Sequence, residues 1–187
     1  MDARKAMTVR YAMVIDTRTC IGCGDCVVAC KTENKVPAGL NRDWVVELTE
    51  GTYPNLRTEF RSERCNHCSH ATCVYMCPTG ASHHWRDTNI VLVDPAKCTG
   101  CKACIAACPY DARLIMHPQG YIDKCTFCHH RVAKGLDPAC VATCPTRCMH
   151  FGVLDDPDSR VSRLLRTRKW KTLQPETGNE PNVYYLL

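Results

Sequence analysis

The chain has 187 residues, enough for one compact domain or two small ones, and it carries 17 cysteines with only three Phe and three Trp. The cysteine total is odd, the cysteines are bunched and no apolar signal segment is visible, which sets aside a disulfide framework. The formal charge of +5, from 24 Lys and Arg against 19 Asp and Glu, treats every thiol as neutral, and by itself it is no nucleic-acid footprint.

Residues 1–9 are expected to be a loose leader. They contain neither an apolar h-region nor a twin arginine, so any export is expected to depend on a partner. Residues 10–16 read as a short strand that leads into a first cysteine run, Cys20, Cys23, Cys26 and Cys30. The intervening residues number two, two and three, and Gly22 and Gly24 allow a tight loop. Residues 27–29 begin a helix. Lys31 follows the fourth cysteine where the other runs have proline, so this helix is expected to continue to Glu33 or Asn34.

Residues 34–64 form a connecting segment with strands at 44–48 and 57–61 and a turn at 51–55, a hairpin. The second run is Cys65, Cys68, Cys73 and Cys77, followed by Pro78. Residues 79–81 turn the chain and 89–94 form a strand. The third run, Cys98, Cys101, Cys104 and Cys108, repeats the spacing of the first and ends in Pro109. Residues 111–121 are a loop with a short strand. In the fourth run, Cys125 and Cys128 are separated from Cys140 and Cys144-Pro145 by eleven residues, expected to hold a helical turn and a loop. A last strand at 150–154, an amphipathic helix at 158–169 with Val161, Leu164 and Leu165 on one face, and an extended apolar tail at 181–187 complete the chain.

The runs form an internal repeat, and the spacing carries the chemistry. Three thiolates in one loop reach three corners of one iron–sulfur cubane, while the fourth cysteine, on the helix that the loop feeds, points to a neighbouring cluster. A tetrahedral zinc site prefers two separated cysteine pairs. Four runs supply sixteen ligands, enough for four 4Fe-4S clusters, with Cys148 left over as a buried spare thiol. Sixteen thiolates around four oxidised cores of about +2 each bring the net charge of the loaded protein to roughly −3. With so few large apolar residues, the clusters are expected to act as the core and the metal-free chain not to fold. Complete cysteine ligation leaves no open iron, which points to electron relay and to no catalytic residue.

Other residues take plainer readings. His83-His84 and His129-His130 have surface or supporting roles, and His67, inside a ligand loop, is a candidate to bond a cluster sulfur. Arg160, Arg163, Arg166, Arg168 and Lys169 read first as a solvated helix face and second as a partner surface. Trp85 and Trp170 are expected to pack.

The chain resembles the four-cluster iron–sulfur subunits of the dimethyl sulfoxide reductase superfamily, of the polysulfide, thiosulfate, tetrathionate or arsenate reductase type. The resemblance rests on Ala-Cys30-Lys-Thr-Glu-Asn34, Gly51-Thr-Tyr-Pro-Asn55, Cys77-Pro-Thr-Gly-Ala81, Ala-Cys108-Pro-Tyr-Asp-Ala-Arg113 and Lys-Cys125-Thr-Phe-Cys128. Phe151-Gly-Val-Leu-Asp-Asp-Pro157 and Pro181-Asn-Val-Tyr-Tyr185 add to it. It implies an α+β fold of two interleaved bacterial-ferredoxin-like modules with short strands, short helices and long loops. The outer module takes residues 1–34 plus 122–155 and the inner module 62–121. A hairpin at 35–61 connects them, and residues 156–187 form a C-terminal helix and docking arm. Spacing alone allows sequential pairing of the runs. The resemblance implies a crossed one, with clusters on Cys20, Cys23, Cys26 and Cys144; on Cys125, Cys128, Cys140 and Cys30; on Cys65, Cys68, Cys73 and Cys108; and on Cys98, Cys101, Cys104 and Cys77.

The resemblance also implies partners. One is a large catalytic subunit with a molybdenum or tungsten bis-pterin cofactor; the other is a membrane anchor subunit that exchanges electrons with quinol. Membrane association would come through those partners, on the periplasmic side with a signal-bearing catalytic subunit and in the cytoplasm otherwise. The alternatives are a free-standing polyferredoxin carrier, the small subunit of a soluble tungsten or molybdenum aldehyde or acyl-CoA oxidoreductase, and a zinc-binding interaction module.

Overall fold

A computed structural model describes residues 8–187, so most of the expected leader lies outside the described residues. In chain order the elements are β1 (Tyr11–Asp16), α1 (Asp25–Asn34), β2 (Asp43–Thr52), β3 (Asn55–Arg64), α2 (Thr72–Tyr75), β4 (Ser82–His84), β5 (Val91–Val93), α3 (Ala103–Ala106), β6 (Leu114–Ile115), β7 (Ile122–Asp123), α4 (His129–Val132), α5 (Ala139–Thr143), β8 (Met149–Val153), α6 (Arg160–Thr167), β9 (Trp170–Lys171) and β10 (Val183–Leu186).

The largest sheet has the order β8-β1-β10-β9. Its centre is β1, in which Ala12, Met13, Val14 and Ile15 are all fully buried. The strand lacks apolar alternation because both of its faces are covered. Met13 and Ile15 face the cysteine-rich core, and Ala12 and Val14 face Val161 of α6. Helix α6 begins at Ser159, whose hydroxyl accepts the Ser162 N–H, an N-cap that satisfies one orphan donor.

Residues 150–154 are not the last strand, and the tail is not a free docking arm. Strand β10 runs parallel to β1 from Met13↔Val183 to Asp16↔Leu186, with β9 on its other edge. Val183, Tyr185 and Leu186 are 0% exposed. An apolar β1 needs a paired, covered neighbour on each edge, and the tail supplies one of them.

The hairpin is longer than its expected strands. β2 and β3 pair in continuous register from Asp43↔Arg64 to Thr52↔Asn55, so only Tyr53-Pro54 lie outside the ladder. Gly51 sits within the ladder at φ +95°, where a Cβ would strike the Asn55 carbonyl oxygen, so the position requires glycine. The strand expected at 89–94 shortens to β5. Asn89 leaves it because its side chain mimics a peptide: Tyr11 N–H donates to Oδ1 at 2.7 Å and Nδ2 donates to the Tyr11 carbonyl at 2.8 Å.

Proline placement sets the helix lengths. Helix α1, in which Lys31 and not proline follows Cys30, holds both Cys26 and Cys30 over ten residues. In the other runs only the third cysteine (Cys73, Cys104 or Cys140) is helical, and Cys77, Cys108 and Cys144 lie just beyond α2, α3 and α5. The expected placement of every fourth cysteine on its helix therefore holds for the first run alone. A residue before proline is pushed out of the helical region, and Cys144 accordingly adopts φ −61°, ψ 114°. Helix α1 packs on α5 and α2 on α3, which brings the first run beside the fourth and the second beside the third.

Candidate iron–sulfur sites

The short helices aim their cysteines at shared spaces. Cys77, Cys98, Cys101 and Cys104 line one cavity together with Ser82 and Arg113. Cys65, Cys68, Cys73 and Cys108 line a second with Tyr110 and, again, Arg113. In the other half, Asn34 Nδ2 lies 3.7 Å from the sulfurs of both Cys30 and Cys128. The Cys30 thiol is pushed up by burial, reinforced by the nearby Cys125 and Cys140. Cys144 and Cys148 sulfurs are 3.5 Å apart. A hydrogen bond from Cys148 holds Cys20 down at about 6. Cys26 Sγ lies 3.4 Å from Ser62 Oγ, and Cys23 is exposed on the same loop as Cys20.

Main-chain donors reach several sulfurs: Ser82 N–H to Cys77 at 3.3 Å, Ile122 N–H to Cys98 at 3.4 Å and Phe127 N–H to Cys125 at 3.5 Å. Burial raises the Cys77 thiol, but the Ser82 N–H and its neighbours outweigh that and hold it below its ordinary value. Deeper thiols stay high: burial pushes Cys125 up to about 12 and Cys140 to about 11. Metal binding would have to displace those protons, because the ligand is the thiolate.

The surroundings fit an anionic, sulfur-rich group. Arg64, Arg113 and Lys124 are buried among these cysteines, and a buried charge needs a partner. Arg64 Nη1 donates to Cys140 Sγ at 3.0 Å, and Nη2 donates to Ser62 Oγ. Lys124 Nζ donates to the carbonyls of Val91 and Cys125. Arg64 Nε, Arg113 Nη1, the Tyr110 hydroxyl and His67 Nε2 are buried without a hydrogen-bond partner. Orphaned donors of this kind around four-thiol cavities are what a 4Fe-4S core, with sulfide acceptors and negative charge, would satisfy.

His67 accepts the Val91 N–H at Nδ1 (3.0 Å) and stacks on Phe127 at 3.7 Å, which assigns its proton to the unpartnered Nε2. Burial, reinforced by Lys124, holds this imidazole neutral. One member of each histidine pair finds a protein partner: His83 Nδ1 meets the Ala81 carbonyl at 2.9 Å, and His130 Nε2 lies 2.7 Å from Glu33, whereas Nδ1 of His84 and of His129 is buried without a hydrogen bond. Cys148 is buried and off the ligand spacing. Sequence reasoning misses the buried cations. Arg64 and Lys124 each directly precede a first cysteine, Cys65 and Cys125, and that adjacency was the available signal. In β3 the two-residue period puts Ser62 and Arg64 on one buried face.

Family models described as a 4Fe-4S dicluster domain match residues 56–154 and 19–82. The chain is 44% identical to Protein NrfC of Escherichia coli (strain K12) over 94% of its length and 80% of the relative's. It is 35% identical to the arsenate respiratory reductase iron–sulfur subunit ArrB of Shewanella sp. (strain ANA-3), over 95% and 96%. Against a tetrathionate reductase subunit of Salmonella typhimurium the identity is 42%, over 95% and 72%.

Proposed function

The chain belongs to the 4Fe-4S dicluster family, among the iron–sulfur subunits of dimethyl sulfoxide reductase-type enzymes, and from that premise we propose that it relays single electrons through four 4Fe-4S clusters between two redox partners. Each cluster draws three ligands from one run and one from the partner run. The groups are Cys20, Cys23, Cys26 and Cys144; Cys30, Cys125, Cys128 and Cys140; Cys65, Cys68, Cys73 and Cys108; and Cys77, Cys98, Cys101 and Cys104. The result is two interleaved modules, an outer one (1–34 plus 122–155) and an inner one (62–121), joined by residues 35–61.

The observation that carries this reading is a gradient of exposure. Only Cys23 and Cys101 are exposed, and they belong to the first and last groups. Cys30, Cys125, Cys128 and Cys140 are all buried, and in the third group Cys65 and Cys68 are buried while Cys73 and Cys108 are half-buried. Neighbouring groups touch in the same order. Arg64 bonds Cys140 and, through Ser62, reaches Cys26. His67 and Phe127, each between two ligands, stack across the middle. Arg113 spans the last two cavities. A chain of four sites whose exposed cysteines lie in its two end groups suits a wire.

Each fully ligated cluster supplies one-electron chemistry and no open iron. The protein's part is to hold thiolates, exclude water from the inner groups and aim N–H donors at sulfur. Relatives named as reductase subunits support a catalytic partner. That partner carries a molybdenum or tungsten bis-pterin cofactor at one end of the wire. A membrane quinone-linked subunit or a soluble redox protein meets the other. No helix among the described residues is long and apolar enough to cross a membrane. In this reading the partner subunits bring the chain to the membrane, on the periplasmic side with a signal-bearing catalytic subunit and on the cytoplasmic side otherwise.

Metal and sulfide analysis tests the reading. The anaerobically purified chain should hold about sixteen iron and about sixteen labile sulfides. About four zinc with no sulfide would replace the relay by a zinc-binding module.

A further inference from the structure

Arg113 is buried in the wall between two cysteine groups. It lines the cavity of Cys77, Cys98, Cys101 and Cys104 and also that of Cys65, Cys68, Cys73 and Cys108. Its Nη2 donates to Ser82 Oγ at 2.9 Å, on the side of the first cavity, and its Nη1 is buried without a partner. The neighbouring groups that favour its charge are cysteine thiols. Arg64 differs, since Asp43, equally buried, lies 3.6 Å away and offsets its charge. Burial works against the Arg113 charge, but the thiols of Cys73, Cys65 and Cys104, drawn from both groups, outweigh it. A guanidinium stays charged under all working conditions, so this is a fixed positive charge in a low-dielectric wall.

We propose that Arg113 sets the reduction potentials of both inner clusters together, as one permanent charge shared by two cysteine groups. Reduction adds a negative charge to a group that is already anionic. A cation beside both groups favours the reduced form of each, and Arg113 therefore keeps neighbouring sites within reach of one electron. The inference rests on the ligand grouping proposed above.

An EPR-monitored redox titration of the assembled protein reads this directly. Arg113→Gln should retain near sixteen irons and lower both inner midpoint potentials, each by at least tenfold in the one-electron equilibrium constant, about 59 mV. Arg113→Lys, which keeps the charge, should hold both within that tenfold. Unchanged potentials in Arg113→Gln, a shift confined to one cluster, or an equal fall in Arg113→Lys would overturn the proposal. Should Arg113→Gln fail to retain both clusters, Ser82→Ala decides. Freeing Nη2 on the side of Cys77, Cys98, Cys101 and Cys104 should raise that cluster's potential relative to its neighbour, and an unchanged gap would overturn the proposal. Failure of the ligand grouping is seen separately, in which signal a cysteine substitution removes.

Discussion

Stripping iron from the folded protein with a chelator is expected to abolish the fold, not to leave an empty scaffold. The core is built around cysteines: Cys26, Cys65, Cys68, Cys125 and Cys140 are among its buried members, packed with Met13, Ile15, Phe127 and Tyr185. Lys124 and Arg113 are buried cations within it, whereas Arg64 has the buried Asp43 3.6 Å away. Without an anionic partner, each buried ion costs several kcal/mol. A typical domain has only about 5–15 kcal/mol of total stability, so two such charges take up much of it. Far-ultraviolet circular dichroism during anaerobic iron removal should show strand and helix signal lost together with the visible cluster absorbance. A native-like spectrum persisting in iron-free protein would contradict the account.

Removing residues 181–187 should be nearly as damaging. Val183, Tyr185 and Leu186 are fully buried, and the Tyr185 hydroxyl donates to the Ser62 carbonyl at 3.2 Å at the base of the hairpin. Each such side chain contributes about 1.5–3 kcal/mol by burial, so three amount to roughly 5–9 kcal/mol before the lost strand pairing with β1 is counted. The truncated chain should accumulate as insoluble, cluster-poor protein. Tyr185→Ala alone should cost about 3–5 kcal/mol in denaturant unfolding. If the segment were a docking arm, truncation would leave the isolated chain stable and cluster-loaded and weaken only its attachment to a partner.

The two results bear on what a chain of this kind discloses. The cysteine runs were legible because a cubane needs thiolates at a fixed local spacing, and that requirement is written in consecutive residues. The extended α1 was legible for the same kind of reason, since Lys31 stands where the other runs have a proline. The hairpin was legible as a pair of strands, but its reach to Thr52 and Asn55 depended on a two-residue connection that composition does not reveal. The tail was misread because Val183 to Leu186 is apolar without saying what covers it. Its partner, β1, lies about as far away in sequence as the chain allows. Buried cations escaped for a related reason. Arg64 and Arg113 look like any other surface arginine until tertiary structure places each against thiols from two runs.

The crossed arrangement is the centre of the account, because it turns four separate sites into one wire. Cys108 distinguishes it most sharply: its own run belongs with Cys98, Cys101 and Cys104, whereas it lines the cavity of Cys65, Cys68 and Cys73. The EPR spectra of reduced Cys108→Ser, Cys68→Ser and Cys101→Ser proteins decide between these. The account predicts that Cys108→Ser and Cys68→Ser alter the same cluster signal and that Cys101→Ser alters another. If Cys108→Ser instead removes the signal that Cys101→Ser removes and leaves that of Cys68 intact, the runs are paired sequentially and the crossed wire is wrong.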